Sequence, residues 1–136
     1  MLKLVLVFVG GGIGSVLRYS AGLLVARLTP TGAETPHWLG MYPVATLSVN
    51  LIGCGLIGLA SGMLGKPEEG HDALQLALVV GVLGGFTTFS SFGWETLSLL
   101  DAGRTGTAAA YAVISVVVGV LAAWSGHQLG LTLAGS

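Results

Sequence analysis

Four long apolar runs dominate the chain, separated by short clusters of polar residues, glycine and proline. They extend over residues 2–28, 42–64, 73–100 and 107–131. A bilayer core about 30 Å thick needs roughly 20 helical residues to cross it, and each run is long enough. The pattern predicts an all-α membrane protein with four transmembrane helices in a single domain covering residues 1–136. The separators TPTGAETPHW (29–38), GKPEEGHD (65–72) and DAGRTG (101–106) hold the breakers and most charges, and none is long enough to form a domain. Four crossings place both termini on one side. The opening MLKLVLVFV has the lysine and apolar stretch of a signal peptide, but apolarity runs on to Leu28 and no small-x-small cleavage site follows at the expected distance. It reads as the start of the first span.

Composition strengthens this picture. Hydrophobic residues make up 53% of the chain and charged residues 8%, where a soluble domain carries about 25% charged residues. So few charges cannot cover a water-facing surface, and the bilayer is the expected solvent. A net charge of −1 lacks the basic stripe that nucleic-acid binding requires. The lone Cys54 excludes an internal disulfide framework and a cysteine-based zinc site, and its apolar setting suggests a small buried thiol.

The basic residues are unusually balanced. Lys3 and Lys66 fall on the side of the termini, Arg27 and Arg104 on the other. Orientation normally follows an excess of Lys and Arg in cytoplasmic loops, and here neither side has one. Two readings stay open: a small count without meaning, or dual topology with copies inserted both ways and associated antiparallel.

Glycine is abundant, with 23 residues, many inside the spans. Gly10-x-x-x-Gly14 and Gly58-x-x-x-Gly62 are small-residue pairs of the kind that let membrane helices approach closely. GGGIGS is not a nucleotide loop, since no strand precedes it and no Lys-Ser/Thr pair follows.

Polar residues within the spans are costly and usually face the bundle interior. Arg18 lies well along the first span; it is expected either to snorkel toward the interface in a structural role or to stand near a membrane path, where its sign favours anions over cations. Glu95 is the only acidic residue inside an apolar span, and it is expected to anchor at an interface or pair with a cation. Thr46 and Asn50 are four apart and share a face of the second helix; Tyr111 and Ser115 do the same on the fourth. GVLGGFTTFSSFGW, residues 81–94, combines adjacent glycines, four hydroxyl residues and three phenylalanines. Such a sequence predicts a break in the third helix near its middle, and irregular backbone at membrane depth is tolerated only where protein buries it or a cavity adjoins it. Phe86, Phe89 and Phe92 recur every three residues and are expected to line one face, with ring edges whose partial positive charge suits an anion. His37, His71 and His127 are expected at solvated surfaces.

In order and spacing, GGGIGSVLRY, ATLSVNLIG and GVLGGFTTFSSF resemble the signature segments of the Fluc (CrcB) fluoride channels. The resemblance covers all four spans. It implies an antiparallel, dual-topology homodimer with two pores, in a prokaryotic inner membrane, that passes fluoride out of the cell without catalysis. Carried over by position, the pore asparagine is Asn50 and the fluoride-facing phenylalanines are Phe89 and Phe92. Thr46, Tyr111 and Ser115 fall on the polar track, and Arg18 near a vestibule. A structural sodium ion at the dimer centre is implied at the main-chain carbonyls of Gly84 and Thr87. Gly119 departs from relatives that carry a further hydroxyl there, and water or Thr46 is the expected substitute. Two other classes remain: a small four-helix proton-coupled multidrug exporter, and a structural membrane-interaction protein. The exporter needs a carboxylate in the first span, where this chain has Arg18 and none.

Overall fold

The computed structural model describes residues 1–28, 37–64 and 73–135, with side chains in the second helix from Pro43 onward. The calls on Lys66 and His71 fall outside the described residues. Among the described residues there are four candidate membrane spans, at Leu2–Leu28, Pro43–Leu64, Ala73–Asp101 and Thr105–Ala134. Helix α1 is Leu2–Leu28 and α2 is His37–Leu64. The second helix thus starts five residues earlier than residue 42, and His37 is its first residue, not part of a connector. Pro43 lies inside it, six residues after His37.

The third span is composite. A short α3 (Ala73–Gln75) passes into a π-helix (Leu76–Leu83), then α4 (Gly84–Phe86), then α5 (Phe89–Asp101). Between α4 and α5, Thr87 and Thr88 are extended, with ψ of 157° and 116°. The π-helix is a rare form, most often found as a single turn near functional sites. Here it runs for eight residues, and α1 is shaped to receive it. A Cβ on Gly10 would come within 2.5 Å of the Ala77 carbonyl oxygen, and one on Gly14 would collide with that of Val82. The first glycine pair therefore serves backbone contact between α1 and the third span.

The last two helices meet in a tight turn. Arg104 N–H donates to the Leu99 carbonyl (2.8 Å) and Gly103 N–H to that of Leu100 (2.9 Å), while Gly103 takes a φ of 72°. This is the 6→1, 5→2 pattern in which glycine is favoured because its left-handed conformation carries no Cβ penalty. Helix α6 follows at Thr105–Ala134. It runs parallel to α2: Gly58 lies against Ala123, and Gly62 against His127 and Gly130. His127, expected at a solvated surface, is half-buried within α6, with its carbonyl against Gly62.

Little of this chain is buried by its own packing. The buried cluster is Leu99, Ala108 and Tyr111, with Leu47 and Phe92 against it. Close backbone contact between helices supplies the rest, which gives a direct expectation. Gly58→Ala must push α2 away from the Ala123 carbonyl, and overpacking of this kind costs about 1–3 kcal/mol. Gly106, with nothing within 4 Å of its Cβ position, should accept alanine without loss. Thermal unfolding of both variants in detergent, against the parent, checks the contrast.

Candidate functional site

Asn50 is bound to the interruption in the third span. Its Nδ2 donates to the Thr88 carbonyl at 3.0 Å, and Thr88 N–H donates to its Oδ1 at 2.8 Å. One amide thus replaces the helical acceptor of the Thr88 N–H and adds a donor to a carbonyl that, at an N-cap, also begins the helix. The polarity of the Thr88 backbone fixes which way the amide faces, and an Asn amide carries two N–H donors, so one remains for another acceptor.

Thr88 then starts α5. Its Oγ1 accepts from Ser91 N–H at 3.2 Å, a conventional N-cap, and it lies 3.1 Å from the hydroxyls of both Ser90 and Ser91. These bonds have a consequence for the backbone before them. In an unbroken helix Thr88 N–H would donate to the Gly84 carbonyl and Ser91 N–H to that of Thr87. Both donors are diverted, one to Asn50 and one to the Thr88 hydroxyl. Carbonyls released in this way are what hold sodium in broken transporter helices, so the donor set at Gly84 and Thr87 fits that ion. Among the described residues, no group of three or more His, Cys, Asp or Glu is placed to hold a metal.

Phe89 and Phe92 pair in the first turn of α5, with ring centroids 5.5 Å apart and planes at 40°. Phe92 also meets Tyr111 at 5.2 Å and 52°. Phe86 does not share their face. The extended Thr87–Thr88 interrupts the three-residue period, and Phe86 instead approaches Gly53 on α2. Phe92 is half-buried, whereas Phe89 is 83% exposed in the single chain.

Among the described residues, the partners of Glu95 are hydroxyls and not a cation. Glu95 is buried, and its two oxygens accept from the hydroxyls of Thr46 (2.6 Å) and Tyr111 (2.7 Å). The reason is rotational: Glu95 follows Phe92 by three residues on α5, so it shares the face that packs on α6. The same face-sharing argument applied to α5 would have found it. Thr88 was missed for a different reason, since its role depends on Asn50, 38 residues away.

Thr46, Asn50 and Tyr111 are thus brought to one seam between α2, α5 and α6, with Phe92 against it. Ser115 lies one turn beyond Tyr111, half-buried. Arg18 is half-buried on α1 and lines an open cavity of about 380 Å³ shared with Thr46, Thr88, Ser91 and Glu95. Thr46 does not substitute for a hydroxyl at Gly119. Its own is given to Glu95 near Tyr111, while a Cβ on Gly119 would meet Cys54 Sγ at 3.5 Å and Leu51 Cδ2 at 3.9 Å. Those are ordinary contacts, so a Cβ is sterically tolerated there.

Four apolar helices around a buried seam of hydroxyl, amide and carboxylate groups define a multi-pass membrane protein with a polar seam inside it. The sequence profile of the family described as CrcB-like protein, Camphor Resistance (CrcB), matches residues 5–127. The chain belongs to this family. A relative from Methylobacillus flagellatus is 42% identical over 129 residues, covering 95% of this chain and 94% of its own. One from Thermus thermophilus is 42% identical over 135 residues, covering 99% and 100%, and one from Agrobacterium fabrum is 40% identical over 133, covering 98% and 99%. Each of these relatives is named a fluoride-specific ion channel, FluC.

Proposed function

We propose that the protein is a fluoride-selective channel, not an enzyme, which lets fluoride leave the cell passively across the inner membrane and so confers fluoride resistance. The observation that carries this reading is the Asn50–Thr88 bridge beside the Phe89–Phe92 pair. It leaves an amide N–H and phenyl edges at the point where the third span is interrupted. Fluoride is small and strongly hydrated, so a selective route must replace its water with such donors without holding it too tightly. Arg18 beside the cavity supplies charge of the attracting sign. From there the ion would pass Asn50, the two phenylalanines and the hydroxyls of Thr46, Tyr111 and Ser115.

The working unit in this reading is an antiparallel homodimer of dual topology with two pores. Phe89, a large ring left 83% exposed, is then covered by the second subunit. The interruption at Thr87–Thr88 is the functional break of the third helix, and the carbonyls of Gly84 and Thr87 from each subunit hold a sodium ion at the centre. When bound, that ion supplies fixed positive charge and ties the two breaks together.

An orientation test addresses function and assembly at once. Added Lys and Arg at one end or the other force a single orientation. In a fluoride-sensitive bacterial host, each forced variant alone should give no fluoride resistance, and co-expression of the two should restore it. Full resistance from either variant by itself would reject the antiparallel pair.

A further inference from the structure

Among the groups on the seam, Glu95 is the one that the ion route above leaves without a role. It joins three helices: Oε1 to Thr46 of α2, Oε2 to Tyr111 of α6, from its own place on α5. All three residues are less than a tenth exposed, at 7%, 8% and 6% for Glu95, Thr46 and Tyr111. The 2.6 and 2.7 Å separations fall in the range of about 2.5–2.7 Å typical of hydroxyl-to-carboxylate bonds, which are roughly twice as strong as neutral ones. The group also stands at a junction. Glu95 and Thr46 line the cavity that holds Arg18, and the Tyr111 ring packs on Phe92.

A hydroxyl has one proton to donate. In this arrangement Thr46 and Tyr111 have both given theirs to Glu95, so neither has a donor left for a passing anion. An anion that uses this part of the seam must take a hydroxyl away from a carboxylate. That exchange compares two acceptors. Fluoride concentrates its charge in a small volume and is an acceptor of comparable strength; chloride spreads the same charge over a larger one and is weaker. The exchange is therefore nearly balanced for fluoride and uphill for chloride.

We propose that Glu95 is a positioning residue that sets anion selectivity, by holding the hydroxyls of Thr46 and Tyr111 against any acceptor weaker than itself. The inference rests on the reading that fluoride passes along this seam. It differs from a simple role as a clip between helices, because a clip affects how well the protein folds and not which halide passes.

The test is the ratio of chloride to fluoride efflux from liposomes, measured with ion-selective electrodes for the parent and for Glu95→Gln. Glutamine is nearly isosteric, but its neutral carbonyl is a weaker acceptor and its NH₂ accepts nothing, so at least one hydroxyl is released. The expected result is a rise of about tenfold or more in the chloride-to-fluoride ratio, with fluoride efflux retained. An unchanged ratio overturns the proposal. So does a folded Glu95→Gln protein that passes no fluoride, since releasing a withheld donor should not stop the ion it binds. Should Glu95→Gln fail to fold, Glu95→Asp carries the test: a carboxylate one methylene shorter cannot keep both Thr46 and Tyr111, so one hydroxyl is released and a smaller rise in the ratio is expected. No rise there overturns the proposal equally. Failure of the parent to pass fluoride at all would instead reject the channel reading, which keeps the two separable.

Discussion

Phe89→Ile is expected to cut fluoride efflux by at least about 100-fold while leaving the stability of the single chain almost unchanged. The ring is 83% exposed and has one aromatic neighbour, Phe92, at 5.5 Å. Substitutions at exposed positions normally stay within about 0.5 kcal/mol. Isoleucine keeps the apolar bulk that lipid or a second subunit would meet, and removes only the ring edge with its partial positive charge. A fall in flux without a fall in thermal stability therefore isolates the interaction with the ion. Efflux at the parent's level would remove Phe89 from the route, and equal losses of flux and stability would return it to packing.

Asn50→Leu should lose both. The substitution leaves the Thr88 N–H without an acceptor and removes one of the donors to the Thr88 carbonyl, which keeps its place at the start of α5. Leaving a buried polar group unsatisfied costs about 1–3 kcal/mol, and a loss of that size is expected for the Thr88 N–H. Flux should fall by at least about 100-fold, because the remaining amide N–H goes as well and the start of α5 loses its tether. Asn50→Asp separates the two effects. It retains an acceptor for Thr88 N–H but opposes the Thr88 carbonyl with a second oxygen and sets a negative charge beside an anion's route, so more of the fold than of the flux should survive. Thermal unfolding and liposome efflux measured on the same preparations decide the matter, and parental flux in Asn50→Leu would contradict the site.

The contrast between these residues reflects how much the sequence revealed. The four spans were legible because length and apolarity are all that a bilayer crossing demands, and residues 73–100 and 107–131 differ from the observed spans only at their ends. Asn50 and Thr46 could be placed on one face from their spacing alone, since a helix repeats every 3.6 residues. Phe86 could not be separated from Phe89 by such counting, because two extended residues between them reset the phase. The π-helix at Leu76–Leu83 has no mark of its own in the run LALVVGVL. It packs against Gly10 and Gly14 of α1, which lie more than 60 positions earlier. Glu95 was misread for a related reason. An acidic residue in a span looks like a group in need of a cation, and whether two hydroxyls stand in for one depends on the rotation of α2 and α6 relative to α5.

Fluoride efflux from liposomes containing the purified protein, followed with a fluoride electrode beside a chloride control, tests the central claim most directly. The account predicts rapid, fluoride-selective efflux that falls at least about 100-fold in Phe89→Ile. No fluoride efflux from a folded protein in the membrane, or chloride passing as readily as fluoride, would contradict it.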